Sequence, residues 1–246
     1  MTWVMLAVAG FAAGVVNAIA GGGSLVSFPA LLATGMPAVT ANATNTLAVW
    51  PGAVSSAWAY RETLRQEQRL ARFLAVPSAL GGLAGGVLLW GTDERWFDAL
   101  VPWLVLFACG LLAVQPRLQR VVAERTPAHG APAAMWVAQL AISVYGGYFG
   151  AGMGIVMLAA MGALLPTDLQ RANALKLSCA LVINGVAACW FLGIGAASLP
   201  HAAFMAVASL AGGYAGARLA QVLSPELMRA LVVGYGLIAA AALAAR

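Results

Sequence analysis

The sequence predicts an all-α, polytopic integral membrane protein made of two inverted-topology repeats with interrupted helices or re-entrant hairpins, about 8–10 membrane segments in all. Three observations carry this reading: composition, an internal duplication, and the unequal charge of duplicated loops. Of 246 residues, 62% are hydrophobic and 9% charged, with mean hydropathy +0.88, whereas soluble domains carry roughly 25% charged residues. Apolar stretches of bilayer-crossing length recur along the chain, which indicates helices rather than the alternation of a barrel.

The duplication appears at a single offset of 131 residues. Ala20, Gly21 and Gly23 match Ala151, Gly152 and Gly154, and "ANA" at 41–43 matches "ANA" at 172–174. Between 72–87 and 203–218 eight of sixteen positions are identical, and between 98–113 and 229–244 seven of sixteen agree. Unbroken register through several segments and their loops is not a product of alanine-rich composition. The chain therefore divides into a first transmembrane repeat at 1–115, a cytoplasmic linker at 116–133 and a second repeat at 134–246, together forming one membrane domain. The linker, within "QPRLQRVVAERTPAHGAP", is polar and carries prolines and arginines.

The first repeat reads as apolar segments at 3–20, 24–35, 40–60, 72–91 and 98–115. The opening "MTWVMLAVAG" has no basic stretch before its apolar run, so a cleaved signal peptide is not expected. In "AIAGGGSLVSFPALL" at 18–32, three consecutive glycines interrupt the helix, since each costs about 1 kcal/mol relative to alanine in a helix interior. The segment after the break is too short to span comfortably, so the first two segments form a broken pair or a re-entrant hairpin. The second repeat follows the same plan at 134–151, 155–166, 171–192, 203–221 and 228–245, with "GAGMG" at the break.

Loop charge sets the expected topology. "RETLRQEQRLAR" holds Arg61, Arg65, Arg69 and Arg72, whereas its counterpart "LGIGAASLPH" holds no lysine or arginine. "TDERWFD" is net acidic, while its counterpart region contains Arg218 and Arg229. The positive-inside rule then places 61–72, the linker and 218–229 in the cytoplasm and both termini outside, which requires repeats of opposite orientation. The formal charge of +5 is thus a topology marker, and no nucleic-acid partner is expected.

Candidate binding residues gather around the breaks. A half-helix beginning near Ser24 in one repeat and near Gly154 in the other exposes unpaired N–H groups at the positive end of a helix dipole, a ready site for an anion. The candidates at the breaks are Gly21, Gly22, Gly23 and Ser24, with Gly152 and Gly154 in the second copy. Asn42, Thr44, Asn45 and Asn173 add amide and hydroxyl donors, although interhelical hydrogen bonding serves the same residue types. Asn17, Tyr148 and Asn184 are weaker candidates. Lys176, the only lysine, lies in an apolar segment opposite Asn45 in the repeat alignment. A cation there is expensive and marks a functional site, unless it snorkels to the interface near Arg171. Gly81, Gly82, Gly85, Gly86, Gly212, Gly213 and Gly216 are spaced for helix packing.

Other chemistries find little support. Cys109, Cys179 and Cys189 fall within apolar segments and read as small buried hydrophobes. His129 and His201 sit in loops. Asp and Glu occur only in loops or at segment ends, which argues against a buried proton relay. HExxH, GxSxG and Walker sequences are absent, and no enzyme activity, cofactor or metal is expected.

The residues "GFAAGVVNAIAGGGSLVSFPALLATGMPAVTANATNTLAVWPG" and "GGYFGAGMGIVMLAAMGALLPTDLQRANALKLS" together resemble the TauE/SafE family of sulfite exporters and related permeases, over essentially the whole chain. The resemblance implies a multi-pass protein of the bacterial inner membrane that moves a small oxyanion, sulfite or an organosulfonate. The expected function is export of such an anion by alternating access between the repeats, with an anion channel and a non-transporting scaffold or assembly protein as the alternatives. The expected partners are the lipid bilayer and the oxyanion; a homodimer is an option the sequence leaves open.

Overall fold

The computed structural model describes residues 2–19, 22–124, 130–219 and 225–244, and these residues form helices with no strand among them. In chain order the helices are α1 (Thr2–Ile19), α2 (Ser24–Leu32), α3 (Ala38–Ala59), α4 (Arg61–Gln66), α5 (Gln68–Gly91), α6 (Glu94–Glu124), α7 (Pro132–Tyr148), α8 (Met153–Leu164), α9 (Leu169–Gly193), α10 (Leu199–Leu219) and α11 (Pro225–Ala244). Three of them, α5, the Glu94–Leu118 part of α6, and α9, are long and apolar enough to cross a membrane. Shorter apolar helices occupy Thr2–Ala18, Met153–Leu164 and Val232–Leu243.

Both expected interruptions are present. At about 1.5 Å per residue, neither α2, with 9 residues, nor α8, with 12, reaches across a hydrocarbon core about 30 Å thick. Their N-terminal junctions are instead enclosed by other helices, as backbone breaks at membrane depth must be. Leu25, Phe28 and Leu31 of α2 and Ile155, Met157 and Met161 of α8 are almost wholly buried.

Two stretches differ from the sequence reading. The basic segment 61–72 read as a loop folds as α4 and the start of α5, because Arg, Glu, Leu and Gln are good helix formers, and Glu62 pairs with Arg65 one turn on, at 3.1 Å. The last segment of the first repeat does not stop at 115. Despite Pro116, α6 continues through the start of the expected linker to Glu124, while residues 125–129 lie outside the described residues.

The duplication reappears in the packing. Exchanging each helix for its counterpart 131 residues away maps the extensive α1–α10 contact onto α7–α5, and α3–α10 onto α9–α5. Each half thus packs chiefly against the other. The correspondence extends to single residues: a β-carbon at Gly82 would lie 2.9 Å from the Ile183 carbonyl oxygen, and one at Gly213 would lie 2.8 Å from that of Gly52. Positions 82 and 213, and 52 and 183, are repeat partners. Such close approaches bring whole helix backbones into contact, which drives association where lipid removes the hydrophobic advantage of burial.

Substitution at these contacts distinguishes packing glycines from incidental ones. A β-carbon at Gly147 overlaps the Gly82 carbonyl, whereas one at Gly110 meets no atom of the described residues within 4 Å. Gly147→Ala is expected to destabilise the purified protein by about 1–3 kcal/mol, and Gly110→Ala to leave it unchanged or stabilise it by about 0.5–1 kcal/mol. Thermal unfolding in detergent measures both.

Candidate functional site

The two breaks face a common cavity of about 60 Å³ between the halves. Its walls include Asn45, Thr46, Val49 and Ala53 of α3, and Lys176, Leu177, Ala180 and Asn184 of α9. These eight residues are four repeat-equivalent pairs, so the duplicated helices present the same positions to one central space. Ser24 at the start of α2 and Gly154 in the first turn of α8 also line it, with Asn17 from α1.

Each break is pinned by a side chain from the preceding helix. In the first, the Gly23 amide donates to Asn17 Oδ1 at 2.8 Å. In the second, Tyr145 Oη donates to the Ala151 carbonyl at 2.6 Å. Gly150 and Gly152 turn the chain there with φ of 77° and 78°, a region that side-chain-bearing residues seldom occupy. The Met153 and Ile155 amides then donate to the Gly150 and Gly152 carbonyls. The Gly154 amide between them, at the cavity wall, donates to no described residue.

Lys176 is 4% exposed, so it does not snorkel out to the interface. Arg171, one turn and more before it, is held at the surface by Asp168 and Glu67 at 3.2 and 3.3 Å. The Lys176 ammonium forms no ion pair or hydrogen bond among the described residues, and no carboxylate lines its cavity. Across the cavity, Ser27 Oγ donates to Asn45 Oδ1, and the Asn45 amide NH₂ has no acceptor among the described residues. Asn17 is in the same condition, its oxygen being occupied by Gly23. Asn184 donates its amide to the Ala180 carbonyl at 2.9 Å and keeps its oxygen. The Lys176 amino group and several N–H donors therefore meet in a space that the Ser24, Thr46 and Ser56 side chains also line, beside the apolar Phe149, Val49 and Leu177.

Of the sequence candidates, Ser24, Asn45, Gly154 and Lys176 come together at this cavity, joined by Asn17 and Asn184 of the weaker ones, while Tyr148 lies outside its lining. Asn42, Thr44, Asn173, Gly22, Gly23 and Gly152 lie outside its lining. Asn42 Nδ2 donates to the Tyr148 carbonyl at 2.8 Å and ties α3 to α7. Thr44 Oγ1 accepts from the Ser198 amide at 2.9 Å, and Asn173 Nδ2 donates to Tyr60 Oη at 2.9 Å. Gly152 packs against Ala108 and Leu111 of α6. Gly21 lies outside the described residues. Sequence reasoning missed Ser27, which orients Asn45, and Thr46; their positions, one turn after the break and next to Asn45, were the available signal. Among the described residues, no group of three or more His, Cys, Asp or Glu side chains is placed to hold a metal.

A family model described as "Sulfite exporter TauE/SafE" matches residues 6–243, and thus both breaks, both linings of the cavity and Lys176. The chain belongs to the TauE/SafE family. A probable membrane transporter protein of Haemophilus influenzae is 31% identical over 232 residues, which cover 91% of this chain and 87% of that protein. The probable membrane transporter protein ORF9 of a Sinorhizobium species is 27% identical over 93% of this chain and 87% of its own length. The probable membrane transporter protein YfcA of Escherichia coli is 27% identical over 90% of this chain and 81% of its own. No solved structure matches the chain. As a TauE/SafE member with helices of this apolar character, it is a multi-pass membrane protein of a transporter family rather than an enzyme.

The Ser27–Asn45 hydrogen bond joins the broken segment to the cavity wall and both side chains are buried. Ser27→Ala leaves the Asn45 oxygen without its partner, and the expected cost is about 1–3 kcal/mol, read as a lower unfolding temperature in detergent. Ser27→Cys, which keeps a weak donor of similar size, is expected to lose less.

Proposed function

We propose that this protein transports a small oxyanion, sulfite or an organosulfonate, across the bacterial inner membrane by alternating access between its two halves. The observation that carries the proposal is the buried Lys176 ammonium, unpaired among the described residues, in a cavity shared by the repeats. A lone charge in a low-dielectric interior is costly, and an anion arriving beside it repays that cost. The Asn45 and Asn17 amides and the Gly154 N–H supply donors for the remaining oxygens, in the manner of an anion held at a half-helix start. Asn42, Thr44, Asn173, Gly22, Gly23 and Gly152 act in this reading as the scaffold that positions those groups.

Size favours sulfite over the longer organosulfonates. A cavity of about 60 Å³ holds an anion of a few heavy atoms, since a water molecule needs about 10–15 Å³ on the same measure. An organosulfonate would require the halves to part further. With the expected inverted repeats, rocking one half against the other would open this cavity to each side in turn. Export is the expected direction, and the membrane potential acting on a transported negative charge would favour it.

Flux of labelled sulfite in liposomes containing the purified protein tests the proposal. The wild type is expected to show saturable flux under an imposed membrane potential. Lys176→Met, which keeps length and removes charge, is expected to reduce it about ten- to hundredfold, the worth of a charge-assisted hydrogen bond. Unchanged flux would remove Lys176 from the site, and flux that never saturates would make the protein a channel.

A further inference from the structure

We propose that a second groove, where the end of α3 meets α4, α5 and α9, binds the phosphate of an anionic phospholipid. The groove has a volume of about 500 Å³ and is separate from the central cavity. Arg61, Arg65 and Arg72 line it together with Trp58, Val54 and Leu181. Glu62 accepts Arg65 at 3.1 Å and approaches Arg61 at 3.6 Å, while Arg72 is exposed and makes no ion pair among the described residues. Three guanidinium groups against one carboxylate leave the groove net positive, and arginine forks suit phosphate oxygens.

The rest of the groove indicates a lipid rather than free phosphate. Trp58 is 69% exposed, and Arg61 stacks on its ring at 5.4 Å, an amphipathic pair typical of the headgroup level. Val54, 41% exposed one turn deeper on α3, continues the wall with apolar surface, as does Leu181 on α9. Inorganic phosphate would gain nothing from that wall, whereas an acyl chain would cover it. The repeat counterpart of this basic segment carries no lysine or arginine, so the duplicated fold does not itself require the cluster. The positive-inside rule assigns this end to the cytoplasmic leaflet, where anionic lipids attract basic clusters. A lipid seated here would brace α3 against α9, the two helices whose other faces wall the central cavity.

Native mass spectrometry of the full chain, released from detergent with phosphatidylglycerol or with phosphatidylcholine of the same acyl chains, tests this inference. The wild type is expected to retain one phosphatidylglycerol in preference to phosphatidylcholine. The combined variant Arg61→Gln, Arg65→Gln, Arg72→Gln is expected to bind it about a hundredfold more weakly. The control Arg69→Gln, Arg95→Gln, Arg117→Gln removes as much charge outside the groove and is expected to keep the lipid. Should the groove variant fail to fold, Arg72→Gln alone, at an exposed and unpaired side chain, is expected to weaken binding about fivefold. Equal loss in groove and control variants, no preference between the lipids, or displacement of the lipid by excess inorganic phosphate would each overturn the proposal.

Discussion

A helix that stops inside a bilayer leaves backbone donors and acceptors that lipid cannot satisfy, and the architecture of this protein follows from having two such stops. Each must be surrounded by protein. Asn17 takes the Gly23 amide at one break, and Tyr145 donates to the Ala151 carbonyl at the other. Enclosure demands that the helices of one half wrap those of the other, which is the arrangement seen: α1 lies on α10 and α7 on α5. Glycines at the crossings permit this wrapping, because the backbones of Gly82 and Ile183, and of Gly213 and Gly52, approach within the space of a side chain. The central cavity is what remains where the enclosed breaks face each other.

Duplication supplied the frame, and divergence supplied the chemistry. The four equivalent pairs along α3 and α9 occupy matching places around the cavity, yet no pair is identical. Asn45 faces Lys176, Thr46 corresponds to Leu177, Val49 to Ala180 and Ala53 to Asn184. An unduplicated charge avoids the repulsion that two buried ammonium groups would suffer across so small a space. In the proposed transport, an oxyanion in this space would have one strong partner on one side and neutral donors on the other.

The candidate residues divide according to helix rotation. Polar side chains on an apolar helix avoid lipid, so their residue types alone show that Asn42, Thr44 and Asn45 face protein. Whether a protein-facing side chain meets a cavity or a neighbouring helix is another matter. Asn42 reaches the α7 end of the second break, Thr44 receives the chain before α10, and only Asn45 faces the open space. The three lie within a single turn. The same limit applies to Asn173, which pairs with Tyr60, while Lys176, three residues on, points into the cavity. For α4 the difficulty was of another kind: a segment rich in arginine carries a loop's charge and a helix's propensity at once, and here local pairing with Glu62 accompanies the helix.

The sequence by itself determined the membrane class, the order and approximate limits of the apolar helices, the position of both breaks and the register of the duplication. These depend on composition and local backbone cost, which neighbours in the chain settle between themselves. Tertiary structure alone decided which polar groups share a space, that Asn17 and Ser27 serve the break and the cavity wall, and that Lys176 is buried without a partner among the described residues. Those outcomes depend on how helices far apart in sequence are rotated and pressed together, and the free energy that fixes the rotation comes from contacts that exist only once both halves are in place.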